Sequence, residues 1–186
     1  MNTMNTMNTM NTMNTMNTMN TMNTMNPKNI QAVLVIDIDD TLFVHKSSLM
    51  EYHKIRPDYH LKSQLQRIQL PKFILTNATF SHANVILNKM NVDEEFKKIY
   101  SRDNMPRMKP SLECYARVQT DISAELQHKN NVYLFFDDLL DNLKNAHIMG
   151  WKTIWISPNY KNKPNYPFLD FAFPSLKEAL DKIAFM

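Results

Sequence analysis

The stretch Ala32-Val-Leu-Val-Ile-Asp37-Ile-Asp39-Asp40-Thr41 decides how the rest of the chain is read. From Ala32 to Ile38 the residues are apolar and mostly β-branched, interrupted only by Asp37. A run of this kind reads as a strand buried on both faces, as strands of a parallel sheet are. Working outward, the same pattern recurs at Lys72 to Thr76, more weakly at Lys97 to Tyr100, and strongly at Val132 to Phe136 and Thr153 to Ile156. These are five expected strands.

The intervening segments carry apolar positions at helical spacing. His82 to Met90 places Val85, Ile86, Leu87 and Met90 on one side. Ser111 to Ile122 follows Pro110, which is expected in the first helical turn. Leu139 to Met149 stops at Gly150, an expected C′ glycine. Leu176 to Phe185 follows Pro174-Ser175, and Arg56-Pro57-Asp58 is expected to turn into a helix from Tyr59 to Ile68. Strands alternating with helices predict an α/β fold: three layers, with a mainly parallel five-stranded sheet covered on both faces.

Composition narrows the function. Residues 1–26 repeat Met-Asn-Thr and end in Met25-Asn26, without charge, glycine or a usable hydrophobic period. They are expected to form a disordered tail, and residues 27–186 a single domain. One cysteine, Cys114, excludes an internal disulfide and a cysteine-rich zinc site. No apolar run approaches the roughly 20 residues of a membrane-spanning helix, so a cytoplasmic protein with no membrane partner is expected. The formal charge of +3 comes from scattered basic residues, not the dense stripe of a nucleic-acid footprint. The single glycine, Gly150, rules out glycine-rich phosphate loops. Any bound phosphate must be held in another way.

Four polar signals stand in fixed order: Asp37-Ile-Asp39-Asp40-Thr41, Thr76-Asn77, Lys109-Pro110 and Asp137-Asp138. Ligands of open α/β sheets bind beyond the carboxyl ends of the strands, where such residues converge. Strand spacing is expected to point Asp37 and Asp39 to one face, where one attacks and the other handles a proton. The Thr41 hydroxyl is expected to bond across the turn and hold the backbone. Thr76-Asn77, with the first N–H groups of the following helix, would make a modest anion cradle, although taken alone the pair reads better as a plain helix cap. The Lys109 ammonium would neutralise a carboxylate or a phosphate oxygen. Adjacent carboxylates at Asp137 and Asp138, ending a buried strand, are unfavourable unless a cation neutralises them. Mg²⁺, which takes oxygen ligands, suits such a pair.

These residues resemble the haloacid dehalogenase superfamily of phosphatases, whose motifs are D-x-D-x-T, a strand-terminal Thr or Ser, a Lys, and paired acids. Phe73-Ile-Leu-Thr-Asn-Ala78 with His82-Ala83, Lys109-Pro110, and Phe135-Phe-Asp-Asp138 with Asn142 are similar to the pyrimidine 5′-nucleotidase branch. The resemblance implies a Rossmannoid three-layer α/β/α core and Mg²⁺-dependent hydrolysis of a phosphomonoester through an aspartyl phosphate. It implies Asp37 as nucleophile, Asp39 as general acid and base, and Thr76 and Lys109 as binders of the transferring group. Asp37, the Asp39 carbonyl and Asp138 would hold Mg²⁺, with Asp137 a ligand directly or through water. Thr41, Asn77 and His82 would face the substrate, a packed or helix-surface histidine being the plainer reading of His82. Asn142 would anchor the loop after Asp138.

One departure concerns the cap. Branch members usually insert a helical cap between the first two motifs, whereas here only Leu42 to Leu75 intervene, room for a flap and one core helix. The cap is therefore expected to be minimal or absent. A small phosphorylated substrate, with nucleoside monophosphates first, is expected. The alternatives are the phosphate of a protein or a nucleic-acid end reaching an open site, and a binding protein that keeps the fold without turnover.

Overall fold

The computed structural model describes residues 31–45 and 50–183. The repeat of residues 1–26, and with it the expected tail, lies outside the described residues, as do 46–49 and 184–186. Six strands build one sheet: β1 (Gln31–Ile36), β2 (Lys72–Leu75), β3 (Lys98–Tyr100), β4 (Asn131–Asp137), β5 (Lys152–Ile156) and β6 (Phe171–Phe173). Their order is β3-β2-β1-β4-β5-β6, and every neighbouring pair is parallel. The sequence predicts five strands. β6 escaped because Phe171-Ala-Phe173, wedged between Asp170 and Pro174, is too short to show a period.

Four helices connect strands, α1 (Tyr59–Arg67), α2 (Phe80–Met90), α3 (Leu112–Glu125) and α4 (Leu140–Ile148), and a fifth, α5 (Leu176–Ile183), follows β6. Alternation along β1 explains the three layers. Leu34 and Ile36 join a core with Leu61 and Leu65 of α1, Ala83, Ile86 and Leu87 of α2, and Ala179 and Leu180 of α5. Val33 and Val35 join the opposite core, with Tyr115 and Val118 of α3, Leu143 and Ala146 of α4, Phe135 and Trp151. Phe135 is fully buried, so Phe135→Ala should cost about 3–5 kcal/mol.

Helix ends follow local chemistry. Asp58 caps α1 by accepting from Leu61 N at 3.0 Å, and Thr79 caps α2 by accepting from His82 N at 3.2 Å. The Thr79 cap starts α2 at Phe80, ahead of the expected His82. Gly150 sits beyond α4 at φ +80°, the left-handed conformation expected of a C′ glycine. Pro110 precedes Ser111, the N-cap of α3, and so lies outside the first turn where it was expected.

Between β1 and β2 the described residues hold a 3-10 turn, Tyr52–Lys54, and α1. Gln64 Nε2 of α1 donates to Lys177 O and to Asp181 Oδ1 of α5, which ties α1 into the core. No helical cap is inserted there among the described residues. No described helix is long and apolar enough to cross a membrane.

Candidate active site

Register brings the acids together. β1 pairs with β4 from Gln31↔Asn131 to Ile36↔Phe136, and the next amide, Asp37 N, donates to Phe136 O at 3.0 Å. Asp37 and Asp137 therefore emerge side by side where the strand order reverses, the crevice in which open α/β sheets bind ligands. Asp138 follows, its carbonyl accepting from Trp155 Nε1 at 2.8 Å. One carboxylate oxygen from each of Asp37, Asp137 and Asp138 lies within 4.8 Å of the others.

Lys109 joins this group from the loop before α3. Its ammonium donates to Asp37 Oδ1 at 2.7 Å and to Asp137 Oδ2 at 2.6 Å. Asn77 Nδ2 donates to Lys109 O at 2.9 Å, and Asn145 Nδ2 of α4 donates to Pro110 O at 2.6 Å, so two asparagines pin this loop. The Asn77 side chain, expected to face the substrate, thus gives one of its two N–H donors to the loop. Asn142, expected to anchor the loop after Asp138, donates instead to both oxygens of Asp137, at 2.9 and 3.1 Å. Leu139 N adds a third protein donor to Asp137, at 2.8 Å.

The electrostatics follow from three buried or half-buried acids sharing one cation. Burial pushes the Asp37 carboxyl up to about 7, a rise that the nearby Lys109 ammonium opposes without cancelling and to which repulsion from Asp137 adds. Burial and Asp137 likewise push Asp138 up to about 6. Burial disfavours the Lys109 ammonium, but Asp137 and Asp37 overcome it and raise its pKa above the usual lysine value. The site holds an excess of negative charge that a divalent cation would balance, and its donors are all oxygen, as Mg²⁺ prefers.

β1 ends at Ile36 and Asp37 N makes the last bond to β4, so Asp39 lies past the strand and strand alternation does not orient it as expected. A tight turn does so: Ile38 O accepts from the amides of Thr41, Leu42 and Phe43, and Asp40 N donates to Phe43 O. Asp40 holds the left-handed conformation at φ 56°, which aspartate tolerates. The Thr41 hydroxyl, expected to bond across this turn, is buried with no hydrogen-bond partner among the described residues. Thr76 is buried just past β2, and its hydroxyl accepts from Ala78 N at 3.0 Å. Because α2 begins only at Phe80, its N-terminus does not adjoin Thr76 in the chain as the cradle reading expected.

His82, on the first turn of α2, reaches Asp39: Nε2 lies 2.8 Å from Oδ1. Two further groups were missed by sequence reasoning. His45 Nε2 lies 2.7 Å from the same Oδ1, and Tyr52 OH lies 2.8 Å from His82 Nδ1. Neither residue belongs to a periodic segment or a motif, so no local signal marked them.

A six-stranded parallel α/β sheet that gathers an aspartate, a lysine and paired acids at its switch point defines a Rossmannoid hydrolase core. A family model described as haloacid dehalogenase-like hydrolase matches residues 2–156, and the chain belongs to that family. No curated protein matches the chain. Among solved structures, the magnesium-bound HAD-hydrolase YfnB of Bacillus subtilis is 24% identical with a TM-score of 0.53, over 67% of this chain and 54% of that one. The L-2-haloacid dehalogenase of Xanthobacter autotrophicus with chloropropionic acid covalently bound is 16% identical, TM-score 0.54, over 73% and 64%. The core domain of a protein described as a phosphoglycolate phosphatase from Streptococcus pneumoniae is 16% identical, TM-score 0.56, over 82% and 95%. These are likenesses of fold. The chain spans 54% and 64% of the first two structures and nearly all of the isolated core domain.

Proposed function

We propose that this protein is a Mg²⁺-dependent phosphomonoester hydrolase working through an aspartyl phosphate. The observation that carries the reading is Lys109 bridging Asp37 and Asp137 beside Asp138 at the sheet's switch point. In this reading Asp37 attacks phosphorus in line, the bond to the leaving oxygen breaks, and Asp39 gives that oxygen its proton. Asp39 then takes a proton from the water that cleaves the aspartyl phosphate. Thr76 and Lys109 hold the phosphoryl oxygens, and Lys109 keeps Asp37 aligned. Asp37, the Asp39 carbonyl and Asp138 would hold Mg²⁺, which when bound neutralises phosphoryl charge. Asp137, already engaged by Lys109, Asn142 and Leu139 N, supports the site from behind.

Nucleoside monophosphates are the first substrate class, through the similarity to the pyrimidine 5′-nucleotidase branch. A phosphate on a protein or nucleic-acid end is the second reading, favoured by the lack of a helical cap between β1 and β2 among the described residues. Lids normally exclude water and select small substrates. The test is phosphate release from an aryl phosphate and a nucleoside monophosphate panel, with and without Mg²⁺, beside 2-chloropropionate as a halide-release control. Mg²⁺-dependent phosphate release is expected. Halide release without phosphate release would overturn the phosphatase reading, and activity confined to phosphorylated macromolecules would select the second substrate class.

A further inference from the structure

The Asp39 side chain makes no bond to Lys109, and two of the groups around it, His45 and Tyr52, come from outside the motifs. Two imidazoles converge on a single oxygen: His45 Nε2 at 2.7 Å and His82 Nε2 at 2.8 Å, both from Asp39 Oδ1. Among the described residues no hydrogen bond reaches Oδ2. Behind His82, Tyr52 OH lies 2.8 Å from Nδ1, with the two rings edge to face at 5.8 Å between centroids. The side chains of His82 and His45 are 18% and 28% exposed, so the contacts are partly shielded from water.

The direction of these bonds follows from donor counting. A carboxylate oxygen only accepts, so each imidazole must present Nε2–H to Oδ1. A neutral His82 then has a bare Nδ1, and Tyr52 O–H is the group that donates to it. The chain Tyr52 to His82 to Asp39 therefore sets the tautomer of the histidine and the rotation of the carboxylate together. A second donor, His45, reaches the same oxygen, and its backbone N donates to Asp40 Oδ1 at 3.1 Å.

We propose that His82, oriented by Tyr52 and joined by His45, is a positioning residue that locks Asp39 by Oδ1, so that Oδ2 alone carries the proton exchanged with the leaving oxygen. This role rests on the phosphatase reading above and adds three residues to it. It also assigns the 3-10 turn Tyr52–Lys54 a function: it carries the hydroxyl that fixes the histidine, contributing orientation where no helical cap is inserted.

The role is separable from general damage because proton donation matters only when the leaving group needs it. The parameter kcat/KM reads events up to formation of the aspartyl phosphate, so two esters of similar size compare the need directly. Phenyl phosphate has a poor leaving group and 2,4-dinitrophenyl phosphate a good one. His82→Ala should lower kcat/KM for phenyl phosphate by on the order of 10²-fold, and for the dinitrophenyl ester by about a tenth of that factor or less. Tyr52→Phe and His45→Ala should shift the ratio in the same direction by smaller factors. His82→Gln, whose amide can donate to Oδ1, should recover much of it. Melting curves on each variant report folding, and ¹⁵N spectra of the wild-type imidazoles report the tautomer, expected as Nε2–H for His82. Equal losses on both esters, or His82 protonated on Nδ1, would overturn the positioning role while leaving the phosphatase reading in place. A wild type silent on both esters with Mg²⁺ would sink the phosphatase reading, and this role with it.

Discussion

The Lys109 ammonium stands 2.7 Å from Asp37 Oδ1, with 1% of its side chain exposed. It is also 2.6 Å from Asp137, so one buried cation serves two acids. Removing it would leave both carboxylates buried and unpaired, a loss of about 3–5 kcal/mol by analogy with other broken buried pairs. Lys109→Met should therefore lower the melting temperature by roughly 10 °C in a domain of this size. Added Mg²⁺ should recover more of that loss in the variant than it adds to the wild type, since it replaces the missing positive charge. An unchanged melting temperature would show that the bridge contributes nothing to stability.

Asp37→Asn separates chemistry from stability. Burial already pushes the Asp37 carboxyl up to about 7, so its charge costs the fold more than it returns. The neutral amide should leave the melting temperature equal or higher, while removing the proposed nucleophile and with it Mg²⁺-dependent phosphate release. Residual turnover near the wild-type rate would falsify the nucleophile assignment.

Asp137 and Asp138 are adjacent but differently engaged, and this predicts opposite phenotypes. Asp137 is fully buried and accepts from Lys109, Asn142 and Leu139 N. Asp138 is half-buried and tied by its backbone carbonyl to Trp155. Asp138→Asn should weaken Mg²⁺ binding, measured by titration calorimetry, with a small change in melting temperature. Asp137→Asn should mainly lower the melting temperature. Reversed phenotypes would exchange the two roles.

The motif acids were legible in the sequence because each lies at or near the end of a hydrophobic run, and sheet topology carries strand ends to one edge; Lys109, in the loop before α3, was marked only by its place in the order of the motifs. The α/β class was legible for the same reason, down to the C′ role of Gly150. What was hidden depends on tertiary contact. Tyr52 and His82 are 30 residues apart, and although His82 was marked by the resemblance, nothing local marks Tyr52 or joins the two. The bond from Asn77 to the Lys109 carbonyl was hidden too, since its partner is a backbone atom 32 residues away. The Thr41 hydroxyl was expected to hold its turn, but backbone amides converging on Ile38 O already do so. β6 has three residues and gains its strand character from pairing with β5.

The cap of α1 gives a pH prediction away from the acidic cluster. Asp58 Oδ1 accepts from Leu61 N, and Oδ2 lies 2.6 Å from Lys177 Nζ. Burial acts to raise the Asp58 pKa, but the Leu61 amide and the Lys177 ammonium outweigh it and hold the carboxyl below its ordinary value. A depressed folded-state pKa contributes stability that is fully present above the unfolded value of about 3.9 and is lost as pH falls through the lower folded value. Asp58→Asn keeps an oxygen to cap the helix and removes the charge, whereas Asp58→Ala removes both and should cost about 1 kcal/mol. The melting-temperature gap between wild type and Asp58→Asn should stay constant at neutral and mildly acidic pH, then close below about pH 4. The additional loss in Asp58→Ala should persist at every pH. A wild-type advantage over Asp58→Asn that survives undiminished in strong acid would mean that the carboxylate's charge does not stabilise this helix start.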